Sequence, residues 1–158
     1  MSEYLREDMA KILIEEEELQ KRVREMAEEI TKDYAGKELL LICILKGAVM
    51  FYADLARNIR LPVQLEFMAI SSYGNDVKTS GIVRIAKDVD TSLMGRHVLI
   101  IEDIMDSGLT LNHLTQLLAA RNPASMKIAC LLDKPERREC DITPDYRGFT
   151  IPNEFVVG

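Results

Sequence analysis

The chain has 158 residues, the size of one ordinary domain, and a domain of this length buries roughly two-thirds of the surface that its unfolded form exposes. Hydrophobic residues make up 47% and charged residues 29%, a balance that is typical of a globular protein and excludes a disordered or fibrous chain. The formal net charge of -6 argues against a general nucleic-acid binder, and no stretch approaches the ~18 apolar residues of a membrane span.

The first half of the chain predicts a helix, a strand, a helix and a strand. Apolar residues recur at helical spacing between residues 15 and 34, and Gly36 then ends the helix. LLLICIL, residues 39–45, is a continuous apolar run that suits a strand covered on both faces. After a turn, residues 48–59 predict a second helix, and VQLEFMAI predicts the next strand.

The second half continues the alternation after a long loop. SSYGNDVKTSG, residues 71–81, is rich in turn-forming residues, and we interpret it as a lid. GIVRIAKDVD predicts a short strand, RHVLIIED an apolar strand, TLNHLTQLLAARN a helix and MKIACLL a third apolar strand. YRGFTI and FVV are candidate edge strands. The pattern predicts an α/β fold, with a mostly parallel twisted sheet flanked by helices, in a single domain over residues 1–158.

Cysteine usage indicates a reducing compartment. Cys43, Cys130 and Cys140 are widely spaced and form neither an even disulfide set nor a zinc-ligand pattern, so we expect free thiols in a cytoplasmic protein. The N-terminal stretch MSEYLREDMAKILI carries acidic residues and no long apolar core, which is not typical of a signal peptide.

The segment IEDIMDSGLT completes the second apolar strand and opens a helix. Ligands of parallel sheets bind beyond the carboxyl ends of the strands. The backbone N–H groups and hydroxyls of residues 107–110 would hold an anion at the helix N-terminus. Glu102, Asp103 and Asp106 nevertheless place negative charge beside this predicted anion site.

A helix cap with solvated surface carboxylates is the alternative interpretation of the same segment. Adjacent residues of an extended strand point to opposite sides, so at most one of Glu102 and Asp103 is ordinary surface charge if both faces of the strand are covered. The other carboxylate then favours binding of an ion or a hydroxyl. The chain contains neither G-x-x-x-x-G-K-[ST] nor G-x-G-x-x-G, the usual nucleotide-binding loops.

VLIIEDIMDSGLT matches the phosphoribosyl pyrophosphate signature of the type I phosphoribosyltransferases, which is four apolar residues, Glu-Asp, two apolar residues and Asp-Ser/Thr-Gly-x-Thr. The chain resembles the hypoxanthine and hypoxanthine-guanine branch of that family in LLICILKGAVMF, SSYGNDVKTSG, LLDKPERR and PDYRGFTIPNEFVVG, in order and in spacing. The resemblance implies the type I phosphoribosyltransferase fold, with a small hood formed by the chain ends.

The resemblance also implies a phosphoribosyl site within the signature. Glu102 and Asp103 would contact the ribose hydroxyls directly or through Mg²⁺, because carboxylates accept from hydroxyls and are hard oxygen ligands. Asp106 would complete this site and act as the general base that takes a proton from the purine. The 5′-phosphate would be held by the loop of Ser107, Gly108, Leu109 and Thr110.

Pyrophosphate and the purine have matching positions elsewhere. Lys46 and Gly47 match the loop that receives pyrophosphate, and the family pattern leads us to expect a non-proline cis peptide bond before Lys46. Lys134 would donate to the 6-oxo group of the purine, Phe155 would stack on the base, and the Val156 backbone would meet the edge of the base.

A closing loop is the last implied part of the site. Ser72 and Tyr73 match a mobile segment that closes over the reacting centre and excludes water. His97 and His113 match no role in the family, and Arg137 and Arg138 are left undecided between solvated charge and a place near the site.

The implied activity is purine salvage, in which phosphoribosyl pyrophosphate and hypoxanthine, and also guanine, give IMP or GMP and pyrophosphate with Mg²⁺ as cofactor. We expect no nucleic-acid or membrane partner and a homodimer or homotetramer. The alternatives are a phosphoribosyl pyrophosphate-sensing regulator of the same fold and an inactive form. The family continues past FVVG for about twenty residues, including a Mg²⁺-ligating aspartate and an arginine near the pyrophosphate. Two alternatives follow for a chain ending at Gly158: it is a truncated form, or the protein lacks those groups.

Overall fold

The structure is a computed structural model that describes residues 11–72 and 83–156. Its strands form one six-stranded sheet. The strands are β1 Leu39–Leu45, β2 Val63–Ser72, β3 Val83–Lys87, β4 His97–Met105, β5 Ser125–Asp133 and β6 Tyr146–Thr150. Their order across the sheet is β3, β2, β1, β4, β5, β6. The β2 and β3 pair is antiparallel and the other pairs are parallel, which confirms the predicted sheet.

Helices cover both faces of this sheet. Within the described residues they are α1 Glu16–Asp33, α2 Val49–Asn58 and α3 Leu109–Ala119, with a short 3-10 helix at Pro135–Arg137. Buried residues of α1 follow the three-and-four spacing of an amphipathic helix, as Val23, Met26 and Ile30 show. Gly36 follows α1 with a φ of 75°, a conformation that glycine adopts without a steric penalty. The predicted helix end is therefore confirmed.

The central strand β1 divides two apolar clusters. Leu41 and Cys43 belong to the cluster with Val23 on the side of α1 and α2. Ile42 points the other way and belongs to the cluster with Leu114 of α3. Because both faces of β1 are covered, alternate residues enter different clusters and the whole strand is apolar.

The direction of strand order reverses between β1 and β4. The chain runs outward from β1 to β2 on one side of the sheet and from β4 to β5 on the other. The parallel register runs from Leu39 opposite His97 to Cys43 opposite Ile101, so the carboxyl ends of both strands lie at the same edge of the sheet. Connections that diverge at such a reversal leave a crevice, which is the usual ligand position in open parallel sheets.

One predicted strand is wrong, and several expectations fall outside the described residues. Phe155 and Val156 of the FVV run lie in no strand, and a three-residue apolar run has too little periodicity to predict one. The strand β2 extends to Ser72, whereas Tyr73, most of the predicted loop and most of the chain ends that would form a hood lie outside the described residues.

The cysteines are free, as expected. Within residues 11–72 and 83–156, none of the helices combines the length and the apolar character that crossing a membrane requires.

Candidate active site

An open pocket of about 240 Å³ lies at the carboxyl end of β4, where the chain passes into α3. It is lined by Glu102, Asp103, Ile104, Met105, Asp106, Ser107, Gly108, Thr110 and Leu111. The ends of β1 and β5 reach the same edge of the sheet on either side of β4. The pocket therefore lies where Lys46 and Lys134, which directly follow those two strands, approach the predicted phosphoribosyl segment.

The loop before α3 has the backbone of an anion-binding turn. Gly108 has a φ of 80° and precedes the first residue of α3. Ser107 Oγ accepts a hydrogen bond from the Leu109 N–H at 3.4 Å, and the Asn112 N–H donates to the Gly108 carbonyl at 2.8 Å. The first N–H groups of a helix have no acceptor within the helix, so they are suited to an anion at this end of the pocket.

Gly108 is also tightly packed against the segment that follows β5. A Cβ atom there would lie 2.6 Å from Cγ2 of Ile142, 3.0 Å from Cδ of Arg138 and 3.2 Å from Sγ of Cys140. Glycine is thus needed twice at this position, once for the left-handed backbone and once for the close approach of the segment that follows β5.

Substitution of Gly108 by Ala is expected to lower the free energy of unfolding by about 2–4 kcal/mol, because the left-handed backbone and the overpacking contribute together. Gly95→Ala is the matched control, since Gly95 has a φ of 71° and nothing lies within 4 Å of its would-be Cβ. The control should lose only about 1–2 kcal/mol. Urea unfolding followed by circular dichroism measures both variants, and equal losses would show that the contacts beneath Gly108 contribute nothing.

Glu102 and Asp103 interact with each other, which corrects the expectation that they point to opposite sides of the strand. The regular pairing of β4 with β5 runs through Glu102 and resumes at Ile104, omitting Asp103. Freed from the ladder, Asp103 accepts a hydrogen bond from the Ile104 N–H through Oδ1 at 2.8 Å, and its own N–H donates to Glu102 Oε1 at 3.1 Å. Both side chains line the pocket.

The environment of Glu102 favours its neutral form. Burial raises the pKa of Glu102 to about 9, and a hydrogen bond to Asp103 together with the charge of that neighbour adds to the increase. A strongly perturbed acid in a pocket is typical of a functional site rather than of a solvated surface.

The turn after β1 meets these carboxyl groups directly. A Cβ atom on Gly47 would lie 2.1 Å from Oδ2 of Asp103, so the backbone of Gly47 approaches the carboxyl group as only glycine can. The peptide bond between Leu45 and Lys46 is cis, as the sequence led us to expect. The structure thus brings the second predicted binding loop to within contact distance of Asp103.

Asp106 faces two cations without hydrogen-bonding to either. Its Oδ1 lies 3.6 Å from Nζ of Lys134 and 3.9 Å from Nε of Arg137, and this buried oxygen has no hydrogen-bond partner. Lys134 is only 5% exposed and is anchored by its N–H, which donates to the Met105 carbonyl at 3.0 Å. A carboxylate oxygen and an ammonium group therefore lie side by side next to the loop of residues 107–110.

The remaining predicted residues are less closely tied to the pocket. The Phe155 side chain is 92% exposed, and neither Phe155 nor Val156 lines the pocket. Tyr73 lies outside the described residues, as does the side chain of Ser72. His97 begins β4 at the opposite edge of the sheet, where its ring contacts Ser125 Oγ at 2.7 Å.

Arg138 is a residue of the site that sequence reasoning left undecided. Its Nη1 donates to the backbone carbonyl of Asp106 at 2.6 Å, and its Nη2 contacts the carboxylate of Asp133. The only sequence signal was its position four residues after Lys134, and that spacing does not reveal the direction of a long side chain in a loop.

Comparisons with known proteins point to one family. A family model described as the phosphoribosyl transferase domain matches residues 10–158. The chain is 50% identical to a hypoxanthine-guanine phosphoribosyltransferase of Bacillus subtilis over 154 residues, which cover 98% of this chain and 86% of the relative. It is 49% identical to a protein of the same name from Mycobacterium tuberculosis over 157 residues, which cover 96% of this chain and 78% of the relative.

Solved structures give the same result. A hypoxanthine phosphoribosyltransferase from Staphylococcus aureus superposes with a TM-score of 0.93 at 42% identity, covering 98% of this chain and 84% of that chain. A hypoxanthine-guanine phosphoribosyltransferase from Bacillus anthracis superposes with a TM-score of 0.90 at 46% identity, covering 93% of this chain and 86% of that chain.

Proposed function

The chain belongs to the phosphoribosyl transferase domain family, and from that premise we propose that it is a purine-salvage enzyme. It transfers the 5-phosphoribosyl group of phosphoribosyl pyrophosphate to hypoxanthine, and also to guanine, giving IMP or GMP and pyrophosphate. The observation that carries the proposal is the ion pair of Asp106 Oδ1 with Lys134 Nζ at 3.6 Å, beside the loop of residues 107–110. A base and a donor for a 6-oxo purine would thus lie side by side.

Binding of the sugar phosphate is divided between two ends of the pocket. Ser107, Gly108, Leu109 and Thr110 would hold the 5′-phosphate through backbone N–H groups and hydroxyls. Glu102 and Asp103 would accept from the ribose hydroxyls at the other end. The negative charge beside the anion site would thus face the sugar rather than the phosphate.

Mg²⁺ fits the donor set of the pocket. Glu102 and Asp103 offer hard oxygen ligands, and residues 11–72 and 83–156 contain no group of three or more His, Cys, Asp or Glu side chains that could hold a metal ion by itself. A pair of carboxylates completed by water and substrate oxygens is the usual way in which proteins bind Mg²⁺. The bound cation would neutralise charge on the leaving pyrophosphate.

The chemical step places a purine nitrogen against C1 of the ribose as pyrophosphate leaves. Asp106 would take the proton of the imidazole ring of the purine, and its unpartnered Oδ1 is free to do so. Lys46 and Gly47 would receive pyrophosphate beside Asp103. Holding donor and acceptor in one pocket converts the encounter of two substrates into an intramolecular step.

Selection of the base rests on Lys134, with Phe155 stacked on the ring and the Val156 backbone at its edge. An ammonium group that is almost fully buried must find an acceptor, and a 6-oxo group provides one while the 6-amino group of adenine does not. We propose that Ser72 and Tyr73 close over the substrates and exclude water. A single domain working as a homodimer or homotetramer in the cytoplasm completes the proposal.

One assay tests the activity. Hypoxanthine, guanine, xanthine and adenine are supplied separately with phosphoribosyl pyrophosphate and Mg²⁺, and pyrophosphate release is followed for each. Turnover is expected with hypoxanthine and guanine and is expected to be far slower with adenine. Absence of turnover with every 6-oxo purine, together with measurable binding of phosphoribosyl pyrophosphate, would favour a sensing regulator and reject the enzyme.

A further inference from the structure

The segment after β5 is hydrogen-bonded to successive backbone carbonyls at the end of β4 and in the loop that follows it. The Lys134 N–H donates to the Met105 carbonyl at 3.0 Å, and the Glu139 N–H donates to the Ser107 carbonyl at 2.9 Å. Between these two bonds, Arg138 Nη1 donates to the Asp106 carbonyl at 2.6 Å. Three consecutive carbonyls of the loop thus have donors from one neighbouring segment, and the middle donor is the only one of the three that is a side chain.

The guanidinium group of Arg138 is also bound to a buried carboxylate. Its Nη2 contacts Oδ1 of Asp133, which is fully buried, while the Arg138 side chain is 13% exposed. Nε of Arg147 lies 2.8 Å from the other oxygen of the same carboxylate. A buried carboxylate is tolerated only when it is paired, and Asp133 has its hydrogen-bonded pairing with Arg138.

Only one of these two arginines reaches the active-site loop. Arg147 lies on β6 and contacts Asp133, and within the described residues its side chain makes no hydrogen bond to residues 105–108. Arg138 bridges Asp133 to the Asp106 carbonyl, and its Cδ also lies beneath Gly108. The planar guanidinium can serve two acceptors at fixed angles at once, which an ammonium group cannot do.

We propose that Arg138 is a positioning residue that fixes the backbone of the loop carrying Asp106, and that the buried carboxylate of Asp133 anchors it. The pair of Asp133 and Arg138, called the clamp below, acts through the carbonyl of Asp106. It therefore sets the direction in which Asp106 presents its carboxyl group toward the purine. Catalytic groups must be held to within a fraction of an ångström, and a displacement of about 1 Å is enough to lower a rate ~100-fold. This kinetic consequence rests on the proposed function, whereas the clamp itself does not.

Hydrogen–deuterium exchange tests the clamp without any substrate. Arg138→Met removes both bonds, and exchange of the peptide covering residues 103–112 is expected to become about tenfold faster, because local opening sets the exchange rate. Arg147→Met removes a guanidinium from the same carboxylate and should leave that peptide unchanged. Equal exchange of this peptide in the two variants would overturn the proposal. Arg138→Lys keeps the charge and the stem, so it serves if the methionine variant does not fold, and it should also loosen the loop.

Kinetics test the role in the reaction. Arg138→Met is expected to lower kcat for IMP formation about 10- to 100-fold with a much smaller change in KM for phosphoribosyl pyrophosphate, while Arg147→Met keeps near-normal kcat. Millimolar guanidinium added to Arg138→Ala should restore part of the lost rate and have no effect on Arg147→Ala. A loss confined to KM, or identical kcat in the two methionine variants, would contradict the positioning role. If the unsubstituted chain is inactive, the proposed function fails, and the exchange experiment still decides whether the clamp exists.

Discussion

Asp106→Asn is expected to lower the turnover of IMP formation by about 10²- to 10⁴-fold, the usual contribution of a positioned general base. The amide has the shape of the carboxyl group but cannot accept the purine proton. Oδ1 of Asp106 is buried, has no hydrogen-bond partner and lies 3.6 Å from Lys134 Nζ, so its lone pairs are available to accept the proton of the substrate. Steady-state measurement of pyrophosphate release gives kcat.

Affinity separates this role from simple binding. The loop N–H groups of residues 107–110 are unchanged in Asp106→Asn, so the dissociation constant for phosphoribosyl pyrophosphate, measured by calorimetry, should change little. Asp141→Asn is a suitable control, because Asp141 is an exposed carboxylate on a nearby loop and should behave as the unsubstituted chain does. Equal losses of turnover and affinity in Asp106→Asn would assign Asp106 to binding instead.

Lys134→Ala is expected to lower kcat/KM for hypoxanthine by about 10- to 100-fold, the effect of removing one charged hydrogen bond. Its second effect concerns selectivity. The buried ammonium group disfavours adenine because the 6-amino group cannot accept its hydrogen bond, and removal of the ammonium group removes that penalty. The ratio of kcat/KM for hypoxanthine to that for adenine should therefore fall by more than the loss with hypoxanthine alone.

Competition between the two bases measures this ratio directly. Lys127→Ala serves as the control, because Lys127 lies on the same strand β5 at the opposite edge of the sheet and should leave the ratio unchanged. An unaltered preference for hypoxanthine in Lys134→Ala would remove Lys134 from base selection, although the chain would still be an enzyme if turnover persisted.

The sequence predicted the position of the pocket, because most of the residues that line it are consecutive. Glu102 to Thr110 lie in one strand-to-helix segment, and their common pocket follows from the rule that ligands bind beyond the carboxyl ends of parallel strands. The apolar character of residues 39–45 likewise predicted a strand covered on both faces. In each case a local pattern was sufficient, because the neighbours that matter are close along the chain.

The failures share a different cause. Contact between Glu102 and Asp103 depends on a gap in the ladder with β5, and the bridge from Asp133 through Arg138 to Asp106 depends on the direction of one long side chain. The sequence periodicity of each segment does not predict either contact. The approach of Gly47 to Asp103 was also invisible, since a sequence does not state that a glycine abuts a carboxyl group more than fifty positions away.

Pairing of β1 with β4 has a consequence for how the chain acquires its activity. Leu39 lies opposite His97, so β1, which precedes Gly47, and β4, which carries Asp103, meet only after a loop of about 60 residues has closed. Such a nonlocal contact is slow to form, and the active site has no activity until the contact has formed. Recovery of enzymatic activity during refolding would accordingly report completion of the central sheet, later than the helical signal does.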